Sequence, residues 1–412
     1  MGDVPLIATK KRNIRVAGLV SVFICLQLVT FDTYVVIFLQ KDLLASIAII
    51  TIIVSFRNIS QLFLRIPLGD LSQIIGRRPL ILTGHFCFTI ALGLLFLSDI
   101  FLVFIATLFV AFGMSAYWSS MFAYLSDISP ERFGESNGRI FQMCDLGIII
   151  ASFLAKILID ELLFELKNVF GLVAGLGVLF GVLSIIILPE TLLKGERKQV
   201  SNIGRAVFNS FAQILPSLWK ITFTEGMKLI YSINFVLAFV EFMLVTYLPL
   251  LIVNKGYTRG NVAEITLWAT IVIIWFKPFL GRMADKFDAS YTITLTLVLS
   301  SLSVFSFLII QDFLLFIIIY IIFNGSLITA ITTVNGEVSR KAPLALQGMA
   351  MGAVGFYVSV GRATSTIVLG PIWEITGLDN VFLFTAIGVF LVAIVMFIFL
   401  RVSRAREKNE KL

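Results

Sequence analysis

Long apolar runs, cut by short polar breaks, recur from one end of the chain to the other. A run of about 20 apolar residues crosses the core of a bilayer as a helix. Twelve such runs are read, at roughly 16–39, 45–68, 79–98, 100–126, 138–159, 168–189, 228–252, 261–280, 290–310, 312–336, 346–370 and 380–401. The pattern predicts an all-α integral membrane protein with twelve transmembrane helices in two six-helix halves. Only one break is long. Residues 190–227 include the charged stretch Lys194-Gly195-Glu196-Arg197-Lys198, and Ile203, Val207, Phe211, Ile214, Leu215 and Leu218 follow at helical spacing. A helix lying on the bilayer face is expected there. The expected organisation is therefore a first half over 1–189, a linker over 190–227 and a second half over 228–412.

The two halves resemble one another. A polar hinge, Gly69-Asp70-Leu71-Ser72-Gln73-Ile74-Ile75-Gly76-Arg77-Arg78, separates the second and third runs. A similar hinge, Gly281-Arg282-Met283-Ala284-Asp285-Lys286-Phe287-Asp288, separates the eighth and ninth, about 210 residues later. Thr33-Tyr34 is echoed by Thr246-Tyr247 and Gly138 by Gly348 at similar offsets. The first hinge is similar to the G-x-L-x-D-R-x-G-R-R loop of the major facilitator superfamily through Gly69, Leu71, Gly76, Arg77 and Arg78. Gln73 and Ile74 stand where that family carries an acidic and a basic residue. The second hinge keeps that pair as Asp285 and Lys286 and has Asp288 in place of its second glycine. The resemblance implies the superfamily's twelve-span fold and alternating access between two halves. It also implies that Asp127, in the loop after span 4, and Glu337, its counterpart in the second half, bond the basic hinges. Two departures are visible. Phe109 stands four residues before Gly113, where the family often has arginine, and span 5 lacks the proline and most glycines of the exporter signature.

Composition supports the same class. Hydrophobic residues make up 58% of the 412 residues and charged residues 14%, against about 25% charged in soluble domains; mean hydropathy is +1.00. Most of the 32 Lys and Arg fall at the termini and in the loops after even-numbered spans, which places both termini and the linker in the cytoplasm of a plasma-membrane protein. The net charge of +7 is thus topological and makes no case for nucleic-acid binding. Lys10, Lys11, Arg12 and Arg15 precede the first run as in a signal peptide, but the run is too long and contains Asp32. Cys25, Cys87 and Cys144 are scattered, with no C-x-x-C. The single histidine, His85, reads either as a buried group bonded to backbone or as a proton relay. No nucleotide or zinc-protease motif is present, so no cofactor and no metal are expected, and no enzyme.

Chemistry is expected where charge lies inside the spans. Asp32 sits roughly 22 Å into span 1, and Arg57 lies near the middle of span 2, in reach of it. Glu241 lies near the middle of span 7 on a face shared with Tyr231 and Asn234. Span 10 offers Tyr320 and Asn324, and span 11 carries Arg362. Intramembrane ionisable residues face protein or water and mark substrate or ion paths, although fixed structural pairs are the other reading of the same positions. Two arginines would favour an anionic solute; arginines already neutralised by Asp32 and Glu241 would suit neutral or cationic ones. Met114, Trp118 and Met121 on span 4 read as packing before ligand contact. The expected partners are membrane lipid, a small solute and a proton, because a buried carboxylate takes up and releases H⁺. The expected protein is a monomeric secondary transporter. An exporter of the same fold and a transport-dead sensor are the alternatives.

Overall fold

The computed structural model describes residues 3–129, 133–192, 227–341 and 347–409, together with Arg197, Gly204, Arg205 and Thr222. The apolar positions of the expected linker helix lie outside the described residues. Among the described residues, twelve long helices follow one another: α1 (Asp3–Ile37), α2 (Ile47–Ile75), α3 (Arg77–Phe96), α4 (Ile100–Ile128), α5 (Phe133–Lys156), α6 (Leu166–Ile187), α7 (Met227–Asn254), α8 (Arg259–Lys286), α9 (Ala289–Ile309), α10 (Phe313–Lys341), α11 (Gln347–Thr376) and α12 (Leu378–Asn409). Helix is the form these runs must take, because in hydrocarbon every backbone N–H and C=O has to be satisfied within the segment. Among the described residues, eleven of the helices are long and apolar enough to cross a membrane. The expected span not among these eleven, 346–370, corresponds to α11, whose apolar run Arg362 interrupts. Side chains begin several of the helices: Ser46 accepts from Ile49 N at 3.3 Å, Asp99 from Leu102 N at 3.0 Å and Asp288 from Ser290 N at 2.9 Å.

The chain divides into two compact units, Met1–Pro216 with Thr258–Leu267, and Ser217–Tyr257 with Trp268–Leu412. Within the first, α3 packs on α4 and α6, α1 on α5, and α2 on α4. Within the second, α9 packs on α10 and α12, and α7 on α11. The pairings α1 with α5, α3 with α4 and α3 with α6 thus recur as α7 with α11, α9 with α10 and α9 with α12. The repeat reaches atomic contacts. A Cβ on Gly147 of α5 would be driven into the Val22 carbonyl oxygen and lie 3.2 Å from Cys25 Cβ. A Cβ on Gly361 of α11 would meet the Phe235 carbonyl oxygen in the same way and lie 3.1 Å from Ala238 Cβ. All three positions correspond at an offset of about 213 residues. Small residues let helix backbones approach closely where hydrophobicity cannot drive helices together, and Gly84 of α3 facing Gly113 of α4 is a further case.

A buried polar knot ties α1, α3 and α6. His85 is fully buried, and its Nε2 donates to the Gly177 carbonyl oxygen at 2.8 Å. That leaves Nδ1 to accept from Gln27 Nε2 at 3.4 Å, while Thr89 donates to Gln27 Oε1 at 2.8 Å. Of the two readings of His85, the observed geometry is that of a group bonded to backbone. Gly177 is small because a Cβ there would meet Thr89 Oγ1 at 2.6 Å.

Gly147→Ala and Gly361→Ala are each expected to destabilise the protein by about 1–3 kcal/mol, since a methyl group forces two backbones apart. Gly93→Ala, with nothing within 4 Å of the added carbon, is expected to be neutral or stabilising by about 1 kcal/mol. Thermal unfolding of the three purified variants checks both statements.

Candidate functional site

Phe31 and Asp32 are neighbours on α1, and Arg57 comes from α2. Arg57 is 4% exposed; its Nη1 donates to Asp32 Oδ1 at 2.5 Å, and its guanidinium carbon stands 5.6 Å from the centroid of the Phe31 ring. The second unit builds the same triplet from other positions. Arg362 of α11 donates from Nη2 to both oxygens of Glu241 on α7, at 3.1 and 2.9 Å, and stands 6.0 Å from the Phe242 ring centroid. In each unit, a helix thus offers a carboxylate and an adjacent phenyl ring, and a second helix sends an arginine to both. Ion pairing and the ring face both favour guanidinium at such a site. The four charges sum to zero, pair by pair.

The other expected pathway residues belong to the second unit. Tyr231 is buried and stacked on Tyr357 of α11, with centroids 5.0 Å apart and planes 7° from parallel; the Tyr357 hydroxyl lies 3.1 Å from Thr222 Oγ1. Asn234, on the same helix, turns back to donate to Ile230 O at 3.3 Å. Tyr320 and Asn324 belong to α10, where Asn324 donates to Tyr320 O at 2.8 Å. Phe31, Phe242 and Tyr357 carry no charge, and aromatic residues are frequent in every span, so their part in the site had no signal in the sequence.

The hinge of the first unit is compact. Gly76 ends α2 and starts α3 at φ = 114°, a conformation that a residue with a Cβ adopts only under strain. Arg77 is 8% exposed: Nε donates to Asp127 Oδ2 at 3.1 Å and Nη1 to Ser72 Oγ at 2.6 Å. Ser72 in turn donates to Gly69 O at 2.6 Å, and Arg78 donates to Ile185 O. Glu190 was not foreseen. Its Oε1 accepts from the backbone N–H of Arg77 at 3.0 Å and of Leu192 at 3.1 Å, so a carboxylate sits on the positive end of α3. A Cβ on Gly76 would collide with that carboxylate. An acidic residue directly after Pro189 at the end of span 6 was the available clue. In the second hinge, Gly281, Asp285 and Lys286 lie in α8, and their side chains fall outside the described residues. Glu337 pairs with Arg340 at 2.6 Å and Lys341 at 3.9 Å on its own helix.

A second ionic cluster occupies the opposite end of the first unit. Both α1 and α5 finish in a π-helical turn, Phe38–Asp42 and Ile157–Glu161, followed by a left-handed leucine, Leu44 at φ = 51° and Leu163 at φ = 54°. These two turns hold the start of α8. Asp42 takes Arg259 Nη1 on both oxygens at 2.9 and 2.8 Å, and Asp160 accepts from Thr258 Oγ1 at 3.2 Å. Asp160 also packs against Gly260 so closely that a Cβ there would strike its carboxylate; its charge faces the amino end of α8. Lys156 joins Glu264 at 2.6 Å and Asp160 at 3.4 Å. No cluster of His, Cys, Asp and Glu suited to a metal occurs among the described residues.

Comparison with known proteins agrees with the architecture. The chain is 23% identical over 347 residues to the uncharacterized MFS-type transporter MJ1560 of Methanocaldococcus jannaschii, covering 82% of this chain and 85% of that one. Among solved structures it is similar to a POT family transporter in complex with a thioalcohol-conjugated peptide, with TM-score 0.74 and 14% identity over 94% and 96% of the two chains. It is also similar to the nucleoside transporter NupG, with TM-score 0.73 and 14% identity over 93% and 99%. The human organic anion transporter MFSD10 follows with TM-score 0.69 and 14% identity over 94% and 99%. Likeness at such identities speaks for the fold alone, but the family model of the Major Facilitator Superfamily matches residues 17–366, and the chain therefore belongs to that superfamily of membrane transporters.

Proposed function

We propose that the protein is a proton-coupled secondary transporter that carries a small organic anion across the plasma membrane by alternating access. In this reading, the six-helix halves 1–189 and 228–412 move about the linker 190–227, with both termini in the cytoplasm. The observation that carries the reading is that each unit holds one intramembrane arginine on one carboxylate, Arg57 on Asp32 and Arg362 on Glu241. A guanidinium so held has no net charge to offer a solute. Protonation of the carboxylate breaks the pair and presents the arginine fork, which matches carboxylate or phosphate oxygens. One proton and one anionic group then enter together, and the buried charge is unchanged by loading. This exchange explains coupling without a nucleotide and without a net charge left in the bilayer. The missing exporter signature in span 5 favours symport of the anion with H⁺ over exchange against it. The ionic cluster at the start of α8 acts as a latch within the first unit, at the end opposite the hinge, and the Arg77–Asp127–Glu190 network acts at the cytoplasmic hinge.

Glu241→Gln is expected to abolish proton-driven accumulation while the protein still folds, because an amide can neither take up nor release the proton whose binding frees Arg362. Vesicles containing the protein and a pH-sensitive dye, scanned with carboxylates and phosphate, read this as loss of anion-dependent proton uptake. Undiminished uptake in the variant would reject the role of Glu241.

Arg57→Leu is expected to cost about 3 kcal/mol of stability, because it strands Asp32 without its counter-charge. Adding Asp32→Asn should restore most of that loss in thermal unfolding but not transport. Arg259→Ala combined with Glu264→Gln should favour the state open at the latch. That shift is measured as faster modification of a cysteine introduced at Tyr34 by an impermeant thiol reagent.

A further inference from the structure

Gln61 follows Arg57 by one turn of α2, so the two side chains leave the helix on the same face. It is 6% exposed, and its amide nitrogen has no hydrogen-bond partner among the described residues. Three other amides in the spans behave differently. Gln27 donates to Phe23 O at 3.3 Å, Asn234 to Ile230 O at 3.3 Å and Asn324 to Tyr320 O at 2.8 Å, each turning back to the carbonyl four residues earlier. Gln61 makes no such bond with its own helix. A buried N–H₂ left unmade is more costly than a made hydrogen bond is favourable, so an amide kept in this condition needs a reason.

We infer that Gln61 is a solute-binding residue, donating from its amide to a second acceptor oxygen of a solute whose carboxylate takes Arg57. The inference rests on the reading of Arg57 as an anion site released from Asp32. Side chains at i and i+4 lie about 6 Å apart at Cβ, and that spacing sets the separation expected of the solute's two acceptors. The solute that fits carries a carboxylate with a carbonyl or second carboxylate three to four bonds away, as in short dicarboxylates, their half-esters and N-acyl amino acids. Arginine supplies a charged fork and glutamine a neutral pair of donors, so the second acceptor need bear no charge. The Phe31 ring beside the guanidinium adds an apolar wall for the carbon chain between them.

The test compares two monocarboxylates of equal length, monomethyl succinate and hexanoate, which differ in the ester group. Equilibrium binding is measured to the full-length protein in lipid nanodiscs, for wild type, Gln61→Leu and Gln61→Met. Wild type should bind monomethyl succinate about tenfold more tightly, the discrimination one hydrogen bond to an otherwise unpaired group supplies. Both variants should bring the two acids to within about twofold by weakening the ester alone, with hexanoate affinity unchanged. A preference that survives in the variants overturns the role of Gln61. Equal affinities in wild type overturn it as well, and mean that an ordered water satisfies the amide. If wild type binds neither acid, the anion reading of Arg57 falls, and the assignment of Gln61 falls with it.

Discussion

An arginine inside a bilayer has to be matched, and Arg57 and Arg362 are each matched by a carboxylate from another helix. Taking a guanidinium out of water is costly enough that pairing is obligatory. The pairs Asp32–Arg57 and Glu241–Arg362 therefore link α1 to α2 and α7 to α11. The same necessity makes them responsive. In the mechanism proposed above, removing the charge of one member by a proton, or supplying another anion, changes which partner the arginine takes, so that a structural requirement and the proposed transport step share the same atoms.

The duplication of the chain is visible in packing and absent from the charges inside the spans. Gly147 on Val22 and Gly361 on Phe235 are the same contact made twice, because a close helix crossing admits hydrogen and nothing larger. Moved by about 213 residues, Glu241 falls on Leu28, Arg362 on Ile149, Asp32 on Val245 and Arg57 on Thr270. Each unit has nevertheless arrived at an arginine held by a carboxylate beside a phenyl ring. In the first the arginine comes from the second helix of the unit, and in the second from the fifth. Steric limits at a crossing leave no room for divergence, whereas a charge pair can be relocated as long as both members move.

The hinge and the opposite end of the first unit both set carboxylates against helix amino termini. Glu190 lies on the start of α3 and Asp160 against the start of α8. In each case a glycine, Gly76 or Gly260, is what allows the approach. The positive ends of those helices, with their unmade N–H groups, are natural anchors for acidic side chains, and short ion pairs with arginine complete both clusters.

Helix number and extent were legible along the chain, since hydropathy is a sum over adjacent residues and bilayer thickness sets the length. Gly76, with its positive φ, and the arginine after it were legible too, from a spacing that occurs in similar proteins. Asp32, Arg57, Glu241 and Arg362 stood out as charges in apolar surroundings, and the neighbouring depths of Asp32 and Arg57 suggested their pairing. Only the tertiary structure decided that Arg362 belongs to Glu241, 121 residues away, that Glu190 rather than a residue of the hinge itself caps α3, and that Asp42 receives Arg259 from a position 217 residues later. The physical reason is that burial of apolar surface is decided locally, helix by helix. The partner of a charge is decided by which faces meet when the helices pack, and no property of either residue alone carries that information.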